Sequence, residues 1–386
     1  MISNFTFQSP TKLIFGRKSI GAVKREIPID KRIMLVYGCK SLKSNGIYDK
    51  IVSILGNRLI CEFSGITSDP EYDYLLKGIE LIKSNGIDYL LAVGGGSVID
   101  ATKFIALGAR YDGEPWRIVE NFGASCNSAI PLATIVTLPA SGSEVNRDAV
   151  VSRASKKAKL PLGNPLIYPK FSILDPELTF SLPKEQTANG ILDIFAHVLE
   201  QYLTYPVNAK LQDRFAESIL QTLIEDGPVV LKEPENYEAR SNIMLSASMA
   251  MNGFLRAGVP MDWASHMISH EITSLTGMAH ARALAIVIPT YLNYCKENKR
   301  EKLFQYGRRV WNLDSDNADY MIEMALKRTK EFFESLGFAT NLKAYNIGAK
   351  EVDKIVKQLI SHQMIKLGEL RNITPESVRK MMLINI

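Results

Sequence analysis

Three histidines, His266, His270 and His280, fall within fifteen residues of a chain that has only five. Imidazoles concentrated in this way suit the holding of a divalent cation or the movement of protons. His266 and His270 stand four residues apart, on one face of a helix, and His280 follows beyond a turn at Gly277. Periodicity alone nominates His266 and His270 as a ligand pair and leaves His280 open. Upstream, "NGILDIFAHVLE" (189–200) repeats the four-residue step with Asp193 and His197, set among Ile191, Leu192, Ile194, Phe195, Val198 and Leu199. A carboxylate and an imidazole on so apolar a helix are buried and need compensation. A cation would supply it, and so would a plain Asp–His hydrogen bond. Two such pairs without thiolate suit Fe²⁺ or Zn²⁺ better than a structural cysteine site would. His362, alone in "KQLISHQMIK", reads as an ordinary helix residue.

A second candidate lies in "LLAVGGGSVIDATKFIAL" (90–107), which reads as strand, glycine turn and helix. Gly94, Gly95 and Gly96 let the backbone approach an anion closely and take positive φ where needed. Ser97 can cap the helix, whose first amides and positive dipole end suit a pyrophosphate. The motif is neither GxGxxG nor a P-loop, and a plain βα turn with a serine cap is the bland alternative. "TLPASGSEVN" (137–146) ends the next apolar run and offers further donors, though alone it is only a turn signal.

These groups need elements to position them. "RIMLVYG" (32–38), "DYLLAVGGG" (88–96) and "AIPLATIVTLPASG" (129–142) read as buried strands. Between the first two, "DPEYDYLLKGIELIKSNG" (69–86) has the three-to-four spacing of an amphipathic helix. Alternating strands and helices imply a mainly parallel sheet covered on both faces, with ligands at the carboxyl ends of its strands. "LPLGNPLIYPKFSILDPELTFSLP" (160–183), with five prolines, reads as an irregular connector. Beyond it nearly every segment is helical. The expected fold is therefore an α/β domain over residues 1–181 followed by an all-α domain over 182–386.

Composition narrows the function classes. The chain has 386 residues, 46% hydrophobic and 23% charged, and its 46 basic and 41 acidic residues are interspersed, for a net charge of +5. No basic tail stands out, so nucleic acid is not an expected partner. Cys39, Cys61, Cys126 and Cys295 are widely separated, which argues against a disulfide framework. "MISNFTFQSPTKLIF" lacks the pattern of a signal peptide, and no apolar run is long enough to span a membrane. The expected location is cytoplasmic, with no membrane partner.

With these residues in view, the chain resembles the iron-containing (group III) alcohol dehydrogenases, in particular their NADPH-dependent aldehyde reductase and butanol dehydrogenase branch. The likeness runs from "PTKLIFG" (10–16) to the C-terminal helices and is most specific in "GGGSVIDATK" and the histidine region; "AKLQDRFAESILQTLIEDGP" (209–228) resembles that branch. It implies a Rossmann-like N-terminal domain, a helical, dehydroquinate synthase-like C-terminal domain, and an active site between them. It also implies one metal on Asp193, His197, His266 and His280, which moves His270 out of the ligand set that spacing alone suggests. His270 is then expected to relay a proton or sit behind the ligands. The resemblance places Gly94, Gly95, Gly96 and Ser97 on the cofactor pyrophosphate, with Asp100, Thr137, Ser141, Asn146 and Lys159 near the cofactor. Members commonly form homodimers through the N-terminal region.

One departure is informative. Relatives that prefer NAD carry an Asp after the first strand, where this chain reads "YGCKSLKSNG", with Gly38, then Cys39 in the Asp position and Lys40 beside it. An ammonium attracts a 2′-phosphate that a carboxylate repels, so NADP(H) is expected over NAD(H). The other departure, Ala281 where many relatives have Gly, leaves His280 undisturbed. The expected reaction is hydride transfer between NAD(P)H and a small aldehyde or primary alcohol, with Fe²⁺ or Zn²⁺ as Lewis acid. The first rival is a zinc-dependent glycerol-type polyol dehydrogenase on the same fold. A metal hydrolase and a non-catalytic binding protein are more distant ones.

Overall fold

The computed structural model of the chain describes residues 1–38, 41–44 and 46–386. Six parallel strands lie in the order β1 (Lys12–Phe15), β8 (Phe171–Leu174), β5 (Leu132–Leu138), β4 (Tyr89–Gly95), β2 (Ile33–Tyr37) and β3 (Leu59–Phe63). A separate antiparallel ribbon pairs β6 (Asp148–Arg153) with β7 (Ala158–Gly163). Strand side chains alternate between two apolar layers, as a pleat with both faces covered requires. Met34, Val36, Leu90, Ala92, Leu132 and Val136 enter one core, with the Tyr72–Asn85 and Gly96–Gly108 helices packed on them. Ile33, Leu35, Leu91, Val93, Ala133 and Ile135 enter the other, covered by the Ile47–Leu55 helix.

β3 and β4 flank β2 on opposite sides, so the winding reverses between β2 and β4. Gly38 follows the carboxyl end of the first of these strands, and the glycine turn ends the second. Such a reversal is where open α/β sheets bind ligands.

The segment 160–183 is not an irregular connector. It completes β7 and supplies β8, whose four residues are all buried between β1 and β5. Prolines on both sides and the lack of alternation in "FSIL" conceal it; a strand covered on both faces does not alternate.

The chain forms two compact units. The sheet unit comprises Gln8–Leu182 with Pro234–Asn252, and the helical unit Met1–Phe7, Pro183–Glu233 and Gly253–Ile386. The break falls at Leu182/Pro183, but two segments cross it. The Tyr237–Met251 helix belongs to the sheet unit because Met244 enters its core and Ser248 donates a 2.6 Å hydrogen bond to Glu144. In the helical unit the Lys184–Tyr202 helix is almost wholly buried, with Ile191, Leu192, Ile194, Phe195 and Val198 fully so. Among the described residues, no helix is long and apolar enough to cross a membrane.

Candidate metal centre and cofactor cradle

Three imidazoles gather around one carboxylate oxygen in the helical unit. Asp193 Oδ1 is 3.8 Å from His266 Nε2, 4.0 Å from His280 Nε2 and 3.9 Å from His197 Nδ1. Candidate ligand atoms of Asp193, His266 and His280 all lie within 4.8 Å of one another. His197 is outside that mutual set, although its ring lies 4.5 Å from that of His266, centroid to centroid. Separations near 4 Å are too long for hydrogen bonds. They are comparable to the roughly 3–4 Å between ligand atoms that each sit about 2.0–2.2 Å from one ion. His197 Nδ1 and His266 Nε2 are buried and receive no hydrogen bond from the described residues, an arrangement that a cation would satisfy. One carboxylate and several imidazoles form a donor set that iron and zinc both accept.

Three helices deliver these groups. Asp193 and His197 are one turn apart on the Lys184–Tyr202 helix, His266 is on Ala264–Thr276, and His280 is the first residue of His280–Tyr294. The αL residue Gly277 ends the second of these helices and lets the chain turn to present His280.

The group that orients His266 belongs to no motif in the sequence. Glu200, two turns beyond Asp193 on the same helix, contacts His266 Nδ1 through Oε2. Its Oε1 accepts from the backbone amides of Ser265 (2.7 Å) and His266 (3.3 Å). One buried carboxylate thus caps the Ala264–Thr276 helix and draws the imidazole proton to Nδ1, leaving the Nε2 lone pair toward Asp193. Burial opposes charge on His266, but Glu200 and Asp193 outweigh it and raise its pKa to about 9. A metal at Nε2 competes with that proton. Burial pushes His197 the other way, to about 4, so it stays neutral. Trp263 packs edge-on against both rings, 6.0 Å from His197 and 5.4 Å from His266.

His270 is buried, with its ring 4.8 Å from His280 and 6.4 Å from His266. His362 is not the isolated helix residue that its sequence context suggests. It ends the Ala349–Ser361 helix and pairs through Nδ1 with buried Glu271 at 2.7 Å.

In the sheet unit the cofactor candidates form a connected set. None of Gly94, Gly95 and Gly96 has positive φ. Their glycine identity answers to close packing instead. A Cβ on Gly94 would come within 2.5 Å of the Val98 side chain, and one on Gly96 within 2.2 Å of Ser141 Oγ. Nor does Ser97 cap the helix. Gly95 occupies the N-cap position and, among the described residues, no side chain caps this end, while Ser97 Oγ donates to the Ser68 carbonyl at 2.6 Å. A helix start of this kind can receive an anion.

Asp100 accepts from Ser143 Oγ (2.6 Å) and Val150 N (2.9 Å), and burial raises its pKa. Asn146 is buried, with Oδ1 accepting from Lys103 Nζ (2.9 Å) and Asp148 N (2.9 Å). Lys103, unremarked in the sequence reading, is fully buried and also donates to Ser143 Oγ and the Asp148 carbonyl; burial lowers it to about 8. Asp100 and Asn146 therefore brace the turn internally through these bonds. Thr137 is in β5, Ser141 just past it, and Lys159 in β7 pairs with Asp69. Cys39 and Lys40 lie outside the described residues.

Residues 10–176 match the model of the iron-containing alcohol dehydrogenases, and residues 187–385 match the C-terminal model of the same family. The chain belongs to the iron-containing alcohol dehydrogenase family and is an oxidoreductase of that class. It is 44% identical to the NADPH-dependent aldehyde reductase YqhD of Escherichia coli over 381 residues, 98% of each chain. It is 38% identical to NADH-dependent butanol dehydrogenase A of Clostridium acetobutylicum over 380 residues, 97% of each. The crystal structure of the E. coli YqhD protein superposes with a TM-score of 0.98 at 43% identity, covering 100% of this chain and 99% of that one. A butanol dehydrogenase A from Thermotoga maritima gives 0.94 at 30% identity, with 100% and 99% covered.

Proposed function

We propose that this chain is an NADPH-preferring, metal-dependent reductase of small aldehydes that also oxidises the corresponding primary alcohols. The observation that carries this reading is the convergence of His197, His266 and His280 on Asp193 Oδ1 at 3.8–4.0 Å. These four residues would hold one Fe²⁺ or Zn²⁺, and the bound cation would polarise the substrate oxygen as a Lewis acid. Asp193 supplies one negative charge and the imidazoles none, so the centre remains net positive and favours an alkoxide over a neutral carbonyl. Glu200 keeps the His266 proton away from the ligand face. Gly38, Cys39, Lys40, Gly94–Gly96, Ser97, Asp100, Thr137, Ser141, Asn146 and Lys159 are assigned to the dinucleotide. The uncapped helix start after β4 supports the pyrophosphate end of that assignment.

His270 relays the proton that the alkoxide takes up. The proposal rests on its burial beside His280. His270→Ala should lower kcat and remove one limb of the kcat–pH profile, while metal content stays at the wild-type level. An unchanged profile would exclude the relay.

The NADPH preference rests on Lys40 and on the likeness to an NADPH-dependent relative; the butanol dehydrogenases above are NADH-dependent. The kcat/KM ratio should favour NADPH, and Lys40→Asp should move it at least tenfold toward NADH, about 1.4 kcal/mol. A wild type that prefers NADH overturns the preference. A homodimer is proposed through β1, an edge strand that exposes Phe15, and the cytoplasm as location.

The deciding experiment is a substrate panel on metal-stripped protein reloaded separately with Fe²⁺ and Zn²⁺. Turnover of butanal well above that of glycerol supports the aldehyde reading, and the reverse supports the polyol one, to which the relatives above lend nothing. Full activity of the metal-stripped protein would remove the metal from the mechanism.

A further inference from the structure

The segment Gly65–Glu71, which follows β3, is tied down along its length. Gly65 N–H donates to the Gly38 carbonyl (3.0 Å), Ser97 Oγ to the Ser68 carbonyl (2.6 Å), Ser152 N–H to the Pro70 carbonyl (2.8 Å) and Ala154 N–H to Glu71 Oε1 (2.9 Å). It therefore runs as a strap fixed to the end of β2, to the glycine turn and to β6. Within it, Asp69 Oδ1 is 2.5 Å from Lys159 Nζ. The two partners differ in their access to water. The Lys159 side chain is 12% exposed and that of Asp69 43%.

That asymmetry gives the pair a direction. A mostly buried ammonium needs an anionic partner at all times, whereas a half-exposed carboxylate can return to water at little cost. Asp69 is one residue from the carbonyl that Ser97 holds, so its charge lies beside the turn assigned to the pyrophosphate. A carboxylate there repels the phosphates and also occupies the cation that would attract them.

We propose that Asp69 is an affinity-determining residue: it holds Lys159 while no dinucleotide is bound and competes with the cofactor phosphates for that ammonium. The inference rests on the assignment of the glycine turn and Lys159 to the cofactor. When the dinucleotide enters, Lys159 exchanges one anion for another and Asp69 turns to solvent. The exchange lowers the affinity for both dinucleotides, so it governs cofactor release as well as capture.

The test is the Kd of NADPH and of NADH for the full-length chain, followed by nicotinamide fluorescence at low and high salt. Asp69→Asn preserves the shape and removes the charge. It should tighten both cofactors roughly three- to tenfold at low salt, with a smaller gain at high salt. Lys159→Met should weaken both, and adding Asp69→Asn to it should restore less than Asp69→Asn gains alone. In ligand-free protein, acetylation of Lys159 read by mass spectrometry should rise severalfold in Asp69→Asn. A wild type that binds, with Asp69→Asn no tighter, overturns this inference alone. A wild type that binds neither dinucleotide overturns the cofactor assignment and the inference with it.

Discussion

Glu200→Gln is expected to weaken metal binding by roughly tenfold to a hundredfold, with activity falling at limiting metal and returning when metal is in excess. Both carboxylate oxygens of Glu200 accept: Oε1 from the amides of Ser265 and His266, Oε2 from His266 Nδ1. A glutamine has one acceptor oxygen and one NH₂ group. With the oxygen on the amides, the NH₂ faces Nδ1 and draws the imidazole proton to Nε2, where the lone pair toward Asp193 is needed. With the amide flipped, NH₂ meets the two backbone donors. Either way the second acceptor is lost. Asp193→Ala is the control, since removal of the shared carboxylate should abolish turnover at every metal concentration. Metal-dependent activity titrations and bound-metal assays separate the two variants. Wild-type metal affinity in Glu200→Gln would mean that the carboxylate only caps the helix.

Lys299→Met should be among the most destabilising single changes in the chain, about 3–5 kcal/mol. Lys299 Nζ donates to Asp262 Oδ2, Glu369 Oε1 and the Leu203 carbonyl at 2.6–2.7 Å, and its side chain is only 2% exposed. Burial works against this ammonium, but the two carboxylates hold its pKa above the ordinary lysine value. Asp262 also accepts from Tyr291 (2.7 Å) and from the Ala264 amide (3.0 Å) at the start of the helix that carries His266 and His270. Without Lys299 two buried carboxylates face each other uncompensated. Burial, with Asp262 beside it, already lifts Glu369 to about 7. In the variant the folded-state pKa of Glu369 rises further above its unfolded value. The folded protein then binds protons more tightly, and the deficit shrinks as pH falls through that folded value toward the unfolded one. Denaturant melts at pH 8 and pH 6 measure this. A loss below about 1 kcal/mol at pH 8, or one independent of pH, contradicts the account.

The legible parts of this protein are those in which one periodicity dominates. β2, β4 and β5 are continuous apolar runs, and the Tyr72–Asn85 and Lys184–Tyr202 helices keep a three-to-four spacing over several turns. β8 was hidden because a four-residue strand between prolines has too little sequence to display a pattern, and its neighbours β1 and β5 are distant in the chain. At the metal centre, spacing found Asp193 with His197 and His266 with His270, since each pair lies on one helix. It nominated His270 over His280, because the place of His280 depends on how the chain turns at Gly277, which periodicity does not carry. Glu200 carried a faint signal as the next acidic residue on the face of Asp193. Asp262, Lys299 and Glu369 carried none, because their pairing is purely tertiary. The glycine turn was located for a partly wrong reason: its residues are small to admit Val98 and Ser141 rather than to reach positive φ.

The placement of the Tyr237–Met251 helix has a practical side. Residues 8–182 made alone would lack the donor that Ser248 offers to buried Glu144 and the apolar plug formed by Met244. A gene cut at the apparent boundary should therefore yield a sticky fragment rather than a free-standing nucleotide-binding module. During synthesis the first half must likewise wait for about seventy further residues to emerge, several seconds at ordinary elongation rates, before its interior can close.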